Sequence, residues 1–227
     1  MKLTYRLLMY LAVLIGGWAG YLYLLMSYET HFRLGIHMYG VEATGIQLPK
    51  YDADDVRTFM HVLIAPIYLL LGSLQFFRKF RESRPRLHRI NGYIVACLAL
   101  VVAFSANRLA YEMGLGKWQE LVPTVLFSSL FIIFLAIAIY NARKKNYEAH
   151  REWMMRHYAI ALAAGGTIRV LLVSSHLVGL GTEASIATVF WVSFLLNLSI
   201  AELYINYSRK KRLKSEARPV IEGGLRS

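Results

Sequence analysis

Five histidines lie at or near the ends of long apolar segments, where an imidazole can bind a metal ion or move a proton. The segment His150–Tyr158 reads HREWMMRHY and places His150 and His157 seven residues apart. Seven residues are close to two helical turns, so both rings lie on nearly the same face of a helix. Two histidines at one depth on facing helices can bind an iron from both sides, as six-coordinate haem b requires.

Sorted by depth along the apolar segments, these histidines form two groups. The first lies near the inner membrane surface and consists of His88, His150 and His157. The second lies near the outer surface and consists of His61 and His176, with Arg108 and Arg169 at the same level. The inner three are the predicted haem iron ligands, and neighbouring arginines would pair with the haem propionates. Two such groups would suit electron transfer across a membrane, with a redox partner or quinone.

The apolar segments that carry these residues set the fold class. Of the 227 residues, 56% are hydrophobic, and the mean hydropathy is +0.40. A helix crosses a bilayer with about 20 apolar residues. The sequence therefore predicts an all-α, polytopic bundle of six transmembrane helices over residues 1–207 and a basic cytoplasmic tail at 208–227. The predicted helices cover residues 5–26, 58–77, 88–109, 121–140, 153–175 and 184–204.

Positive charge predicts the orientation of this bundle. The net charge is +12, and most lysines and arginines lie at the amino terminus, in loops 78–89 and 143–156, and in the tail. By the positive-inside rule, these regions and both termini are cytoplasmic, which predicts a multi-pass protein of the inner (plasma) membrane. The basic tail predicts contact with anionic lipid. Short charged blocks between apolar segments do not form the basic face of a nucleic-acid-binding protein. Composition leaves the oligomeric state and the folding of loop 27–57 open.

Small and polar residues form a stripe on each of two predicted helices. The second helix carries His61, Ala65, Tyr68, Gly72 and Gln75 at a spacing of four and three residues, which is one helical face. The third helix carries a similar stripe, which consists of His88, Gly92, Ala99, Ala103 and Ala106. Such stripes allow either close packing of helices or room for a flat cofactor.

Arg169 supports a different function, because a charge inside an apolar helix is costly and usually faces a partner or a cavity. Together with His61 and Arg108 it would form an outward-facing pocket for an anion or a lipid headgroup. The protein would then be a non-haem transporter or an assembly or interaction factor. A membrane enzyme that acts on quinone or lipid is a further alternative, but no nucleophile is evident. The sequence has no HExxH, CxxC or P-loop motif.

Two segments resemble a bacterial family of membrane proteins catalogued as a domain of unknown function, DUF2306. They read QFFRKFRESRPRLHRINGY at 75–93 and HREWMMRHYAIALAAGGTIR at 150–169, and His61 precedes them. The residues that carry the resemblance are His61, Gln75, Pro85, His88, Arg89, Gly92, His150, Arg151, Trp153, Met154, Arg156 and Arg169. His157 and His176 fall outside the family pattern. The resemblance implies a membrane fold and its topology, and it implies no particular activity.

Overall fold

The computed structural model describes Tyr10, Leu14 and residues 28–39, 55–114 and 118–224. Within these residues the chain is helical apart from short turns, and it contains no strand, in agreement with the predicted all-α class. The helices, numbered in chain order, are α1 (Tyr28–Tyr39), α2 (Asp55–Leu74), α3 (Arg78–Ser83), α4 (Pro85–Met113), α5 (Trp118–Arg143), α6 (Tyr147–Leu162), α7 (Ile168–Leu177) and α8 (Thr182–Gly224). A π-helical turn, Ala163–Thr167, joins α6 directly to α7.

Four helical stretches of the described chain are long and apolar enough to cross a membrane. They are Pro85–Glu112, Trp118–Arg143, Tyr147–Leu177 and Ala184–Lys214, and a shorter apolar stretch covers Met60–Leu74. These five stretches correspond to five of the six predicted helices. The predicted helix at 5–26 lies outside the described residues except for Tyr10 and Leu14. The count of six spans and the orientation of the termini stay predictions.

Exposed aromatic rings mark the two ends of α5. Trp118 is 71% exposed at the start of the helix, and Tyr140 is 61% exposed near its end. At about 1.5 Å per residue, the two lie roughly 33 Å apart along the axis. This distance matches the hydrocarbon thickness of about 30 Å, and tryptophan and tyrosine favour the two interfaces that bound it. The length of α5 therefore fits a bilayer.

Local capping signals place the starts of α4 and α6 before their predicted starts. Pro85 occupies the first turn of α4, where its missing N–H costs nothing. Before α6, Lys145 has a φ of 60° and reverses the chain. The Asn146 side chain then accepts a hydrogen bond from the backbone N–H of Ala149 (3.2 Å) and caps the helix. The polar segment that begins at His150 is therefore part of the helix, and His88 lies in the first turns of α4.

The carboxyl end of α2 is bonded by side chains of two neighbouring helices. The last four carbonyl groups of a helix have no N–H partner within the helix, so they need a hydrogen-bond donor from elsewhere. Asn91 of α4, only 8% exposed, donates its amide to the carbonyl oxygen of Leu71 (2.9 Å). Tyr158 of α6 donates its hydroxyl to the carbonyl oxygen of Leu69 (2.5 Å), which lies two residues before the last four carbonyl groups and gains this bond in addition. Both α4 and α6 are thereby fixed to α2.

Two glycines allow α2 to approach the helix formed by α6, the π-helical turn and α7. A Cβ atom on Gly72 of α2 would lie 2.7 Å from Cε2 of Tyr158. A Cβ atom on Gly165, within the π-helical turn, would lie 2.6 Å from Cδ1 of Leu69. Tyr68 and Gly72 of the predicted α2 stripe are buried in this contact. This part of the stripe serves close helix packing.

Positive charge collects at one end of the bundle, which we call the basic end. Because α4, α5 and α6 alternate in direction, the start of α4, the turn between α5 and α6, and the late part of α8 meet there with α3. Its described cations include Arg78, Lys79, Arg81, Arg84, Arg86, Arg89, Arg143, Lys144, Lys145, Arg151, Arg156, Arg209, Lys210, Lys211, Arg212 and Lys214. His61, Arg108 and Arg169 lie toward the other end, which we call the opposite end.

The last helix differs from its prediction. The sequence predicts that it ends near residue 204 and that a tail begins at 208, but α8 runs without a break from Thr182 to Gly224. The basic run that follows Tyr207 contains no glycine or proline before Pro219, so nothing in its composition stops the helix. The first part of the predicted tail is therefore a rigid extension of a membrane span.

Replacing Gly72 by alanine tests the close contact between α2 and α6. The new methyl group would overlap a buried ring that is held by its own hydrogen bond, so we expect a loss of about 1–3 kcal/mol in stability. The measurement is the midpoint of thermal unfolding in mild detergent. Gly92→Ala is the matched control, because its Cβ would meet only the Gln75 side chain at 3.8 Å. Equal midpoints for the two variants would contradict the packing described here.

Candidate functional site

His157 lies at the centre of the bundle and is bonded on both sides by the protein. Its Nδ1–H donates to the carbonyl oxygen of Phe131 (2.8 Å). Nε2 must then be the acceptor of the neutral ring, and it accepts from the hydroxyl of Tyr68 (2.8 Å). This hydrogen-bonded chain joins α5, α6 and α2.

The surroundings of His157 leave it no access to a ligand. The residue is 0% exposed, Tyr68 is 1% exposed, and the Phe131 ring stacks on the imidazole with centroids 4.0 Å apart. Both ring nitrogens are already bonded to protein atoms. As placed, His157 has no nitrogen available for iron, and it joins helices instead.

His88 and His150, the other two predicted inner ligands, lie together at the basic end. They are close enough to interact electrostatically. His150 donates Nδ1–H to the carbonyl oxygen of Ala138 (2.9 Å), which leaves Nε2 with a lone pair. Nδ1 of His88 is buried and has no hydrogen-bond partner in the described part of the chain. The structure thus places these two histidines at the same end of the bundle. Each keeps one ring nitrogen without a protein partner in the described part of the chain, whereas both ring nitrogens of His157 are bonded.

The described side chains also form no cluster suited to a metal ion. No group of three or more histidine, cysteine, aspartate or glutamate side chains that could hold a metal ion occurs among residues 28–39, 55–114 and 118–224. The single cysteine, Cys97, is exposed on α4. A polydentate protein metal site therefore has no support in this region.

At the opposite end, His61 is held by a serine of α4. The hydroxyl of Ser105 donates to the Val101 carbonyl oxygen (2.8 Å), so its oxygen is free to accept from Nδ1–H of His61 (2.8 Å). Arg169 lies toward the same end of the bundle, within electrostatic range of His61. The two predicted site residues therefore share the opposite end, with no hydrogen bond between their side chains.

Arg169 is tied to the π-helical turn that precedes it. Its Nη1 donates to the carbonyl oxygen of Ala164 (2.5 Å), five residues earlier. A π-helical turn disturbs the regular hydrogen bonding of a helix, and such turns are frequent at functional sites. Asn197 of α8 donates its amide to the Thr167 hydroxyl (2.8 Å) and fixes the same turn from the other side. His176, the remaining predicted site residue, is half-buried near the end of α7.

A cavity of about 120 Å³ opens beside His61 and Ser105. Met60 and Phe104 belong to its apolar wall, and Ser105, Arg108 and Glu112 belong to its polar wall. Nη2 of Arg108 pairs with Glu112 (2.5 Å), one helical turn away. Nε of Arg108 is buried and lacks a hydrogen-bond partner among the described residues. The cavity thus combines an apolar wall with an incompletely bonded guanidinium group.

Four ion pairs join the start of α6 to the late part of α8, and we call them the arginine–glutamate ladder. Arg156 pairs with Glu202, Glu152 with Arg209, and Glu148 with Arg212, and a longer contact joins Arg212 to Glu152 (3.7 Å). The helices are antiparallel, so one turn forward on α6 corresponds to about one or two turns back on α8. Paired arginine and glutamate can satisfy each other's charge and hydrogen bonds where water is scarce.

In two pairs of the ladder, Arg156 with Glu202 and Glu152 with Arg209, the arginine donates two hydrogen bonds to the carboxylate. Arg156 binds Glu202 through Nε (2.5 Å) and Nη2 (3.0 Å), and it lies 4.5 Å from the centroid of the Trp153 ring. Glu152 is 6% exposed, and Nε of Arg209 donates to it (2.8 Å). The charged part of HREWMMRHY therefore fixes α6 to α8.

Several of these residues have no role in the predictions from the sequence. Glu152 and Arg209 were not candidate site residues, and Tyr68 appeared only as a member of a stripe. One signal was available: Glu148, Glu152 and Arg156 repeat every four residues, which puts all three on one helical face. The matching residues of α8 become recognisable only once the two helices are known to be antiparallel neighbours.

Replacing Tyr68 by phenylalanine tests the bond to His157. We expect a loss of about 1–3 kcal/mol in stability, because Nε2 of His157 would be left buried without a donor. Thermal unfolding in detergent measures this loss. Tyr93→Phe is the control, since Tyr93 is 62% exposed on α4 and should unfold at the wild-type temperature. A wild-type midpoint for Tyr68→Phe would show that the bond does not stabilise the bundle.

Exchange of charges tests the ladder. Glu202→Arg sets two arginines against each other, and we expect a cost of roughly 2 kcal/mol, below the ~3–5 kcal/mol for a fully buried pair because Glu202 is 42% exposed. The double variant Arg156→Glu with Glu202→Arg restores an opposite pair and should regain most of the unfolding midpoint. Arg156→Glu is measured alone as well. If the double variant loses as much stability as the two single variants lose together, Arg156 and Glu202 do not form a pair.

Comparison with known proteins places this arrangement of helices in a family. No curated protein and no solved structure matches the chain. A family model described as "Predicted membrane protein (DUF2306)" matches residues 58–205, which include α4 to α7 and most of α2 and of the membrane part of α8. The match confirms the resemblance seen in the two motif segments. The chain therefore belongs to the DUF2306 family of membrane proteins.

Proposed function

We propose that this DUF2306 member is a non-haem membrane protein that binds an anionic amphiphile in the cavity at the opposite end. The observation that carries the proposal is the guanidinium group of Arg108, whose buried Nε has no hydrogen-bond partner among the described residues. A buried donor without a partner costs about 1–3 kcal/mol, and an anionic group would remove that cost. Guanidinium groups bind carboxylate and phosphate with paired N–H donors.

The shape of the cavity favours a ligand with a charged head and an apolar chain. A volume of about 120 Å³ accommodates a headgroup such as a carboxylate or phosphate and a few methylene groups. Phe104, on the cavity wall, is 71% exposed on the outer face of α4, where a hydrocarbon chain would continue along the protein surface. Glu112 occupies Nη2 of Arg108, so the remaining donors of the guanidinium group recognise the head.

A second cation supports the same ligand class. Arg169 acts on His61, and His61 is bonded to Ser105 in the cavity wall. Arg108, on the cavity wall, would bind the anionic head, and Arg169 would add positive charge at the same end of the bundle, whereas haem binding gives Arg169 no role. Binding of this kind is the first step both for a small transporter and for an assembly factor, the two classes that the sequence favours as alternatives to electron transfer.

The proposal is tested with probes that share a chain and differ in the head. Lauric acid and monododecyl phosphate should raise the unfolding midpoint of the purified protein, and dodecyltrimethylammonium should not. Arg108→Gln should weaken the binding of the anionic probes about ten- to a hundredfold, because a hydrogen bond to a charged group contributes about 1.5–3 kcal/mol.

The matched control is Arg78→Gln. Arg78 forms the same kind of ion pair as Arg108, with a glutamate four residues later (2.7 Å), but it lies at the basic end. Its loss should leave probe binding unchanged. Equal losses in the two variants, or an equal response to anionic and cationic probes, would reject the site.

A second candidate, haem b, is reduced to one pair of histidines. His88 and His150 both lie at the basic end within electrostatic range of each other, and hydrogen bonding of Nδ1 to a carbonyl, as in His150, is common for metal-bound histidine. Haem between them would supply one-electron redox chemistry. Protein from a haem-replete host would then show a Soret band that His88→Ala and His150→Ala each abolish and Tyr93→Phe keeps. A flat visible spectrum after added hemin would remove this candidate.

A further inference from the structure

The basic run Arg209–Lys214, which reads RKKRLK, divides its cations between two faces of α8. Arg209 and Arg212 face α6 and belong to the arginine–glutamate ladder. Lys210, Lys211 and Lys214 are exposed on the other side of the helix. The arginines are therefore used inside the protein, and the lysines are presented outward at fixed positions.

Two of these lysines continue a stripe of α8 whose earlier residues face lipid. Leu203, Tyr207, Lys210 and Lys214 follow a spacing of four, three and four residues, which is one helical face. Leu203 is 68% exposed within the membrane-spanning part, and Tyr207 is 46% exposed one turn later. An exposed leucine within a span lies against hydrocarbon, and Tyr207, roughly 35 Å along the helix from Ala184, lies near the interface that tyrosine favours. The lysines come next in this order.

The height of the lysines places them among lipid headgroups. At ~1.5 Å per residue, Lys210 lies roughly 4.5 Å and Lys214 roughly 10 Å beyond Tyr207 along the helix axis. The headgroup layer adds about 5–8 Å to each side of the hydrocarbon. Flexible lysine side chains can reach back along the helix toward that layer. The ammonium groups of both residues thus come within reach of phosphates.

We propose that Lys210 and Lys214, with Lys211 beside them, form a binding site for the phosphate of anionic phospholipids in the adjoining leaflet. Lys210 and Lys214 are one helical turn apart, so one phosphate can contact both. Each lysine near an anionic membrane surface contributes about 1 kcal/mol. The site is independent of the cavity at the opposite end.

The arginine–glutamate ladder holds this site in place. Glu152, 6% exposed, and Glu148 fix the inner face of α8 beside the lysines, so the helix cannot turn about its axis without breaking both pairs. The same pairs keep the acidic side chains on the inner face. The outer stripe from Leu203 to Lys214 then presents positive charge alone to the membrane.

Lipid retention in nanodiscs tests the proposal. The full-length protein is reconstituted in phosphatidylcholine with a minor share of phosphatidylglycerol, repurified in detergent, and its bound lipid is measured by mass spectrometry. We expect phosphatidylglycerol to be enriched on the wild-type protein. Lys210→Gln with Lys214→Gln should weaken its binding about thirtyfold, which corresponds to two contributions of ~1 kcal/mol. Added salt should reduce wild-type enrichment in the same direction.

Two further variants make the result specific. Lys144→Gln with Lys145→Gln removes the same charge from exposed positions in the turn between α5 and α6, outside the stripe, and should keep most of the enrichment. Lys210→Arg with Lys214→Arg keeps the charge and should bind as the wild type does. Unchanged enrichment in the Lys210–Lys214 glutamine variant would overturn the proposal. Polyglutamate, added as a probe for acidic proteins, gives the alternative outcome. If the Lys210→Gln, Lys214→Gln variant loses polyglutamate binding but keeps its phosphatidylglycerol, the surface binds an acidic protein instead.

Discussion

Hydrocarbon offers no hydrogen bonds, so every polar group inside this bundle needs a partner from the protein itself. That constraint explains why contacts between helices are so often polar. Tyr68 and His157 join α2 to α6, and Asn107 and Ser128 exchange hydrogen bonds between α4 and α5 (2.9 and 3.0 Å). Serine hydroxyls of α7 and α8 pair in the same way, between Ser175 and Ser185 (2.9 Å). Helix order and register follow from these pairings together with the close approach at Gly72.

The same constraint separates structural polar groups from candidates for binding. His157 and Glu152 are buried and fully paired, so their chemistry is used by the fold. Four buried atoms have no partner among the described residues: Nε of Arg108 and Nδ1 of His88, which lie at opposite ends of the bundle, Nε of Arg212 in the ladder, and Oγ of Ser193 within α8. The ends of a membrane bundle are where ligands and lipid headgroups can supply what the protein does not. Ligand binding is therefore expected at the two ends, whereas His157, which the sequence groups with the inner haem ligands, is a bonded residue of the core.

The sequence predicts helices well and pairings poorly, for physical reasons. Apolar length reports bilayer thickness directly, so five predicted helices agree with described ones within a few residues at most ends. Pro85 and Asn146 are local start signals that would have improved two of those ends. The pairing of Tyr68 with His157 joins positions 89 residues apart, and only the three-dimensional arrangement of helices brings them together. His157 therefore resembled a ligand in the sequence although it is a bonded core residue, whereas the neighbourhood of His61 and Arg169 agreed with their predicted depth.

The π-helical turn at Ala163–Thr167 gives the bundle an unusual dependence on chain length. Such a turn corresponds to one residue more than a regular helix would hold, and one residue rotates everything after it by about 100°. Deleting one residue there would restore a regular helix and swing Arg169 away from His61, while the ladder before the turn kept its place. In an aligned sequence, a one-residue gap at this turn would thus identify a protein with the same membrane fold but without the paired cation and histidine at the opposite end.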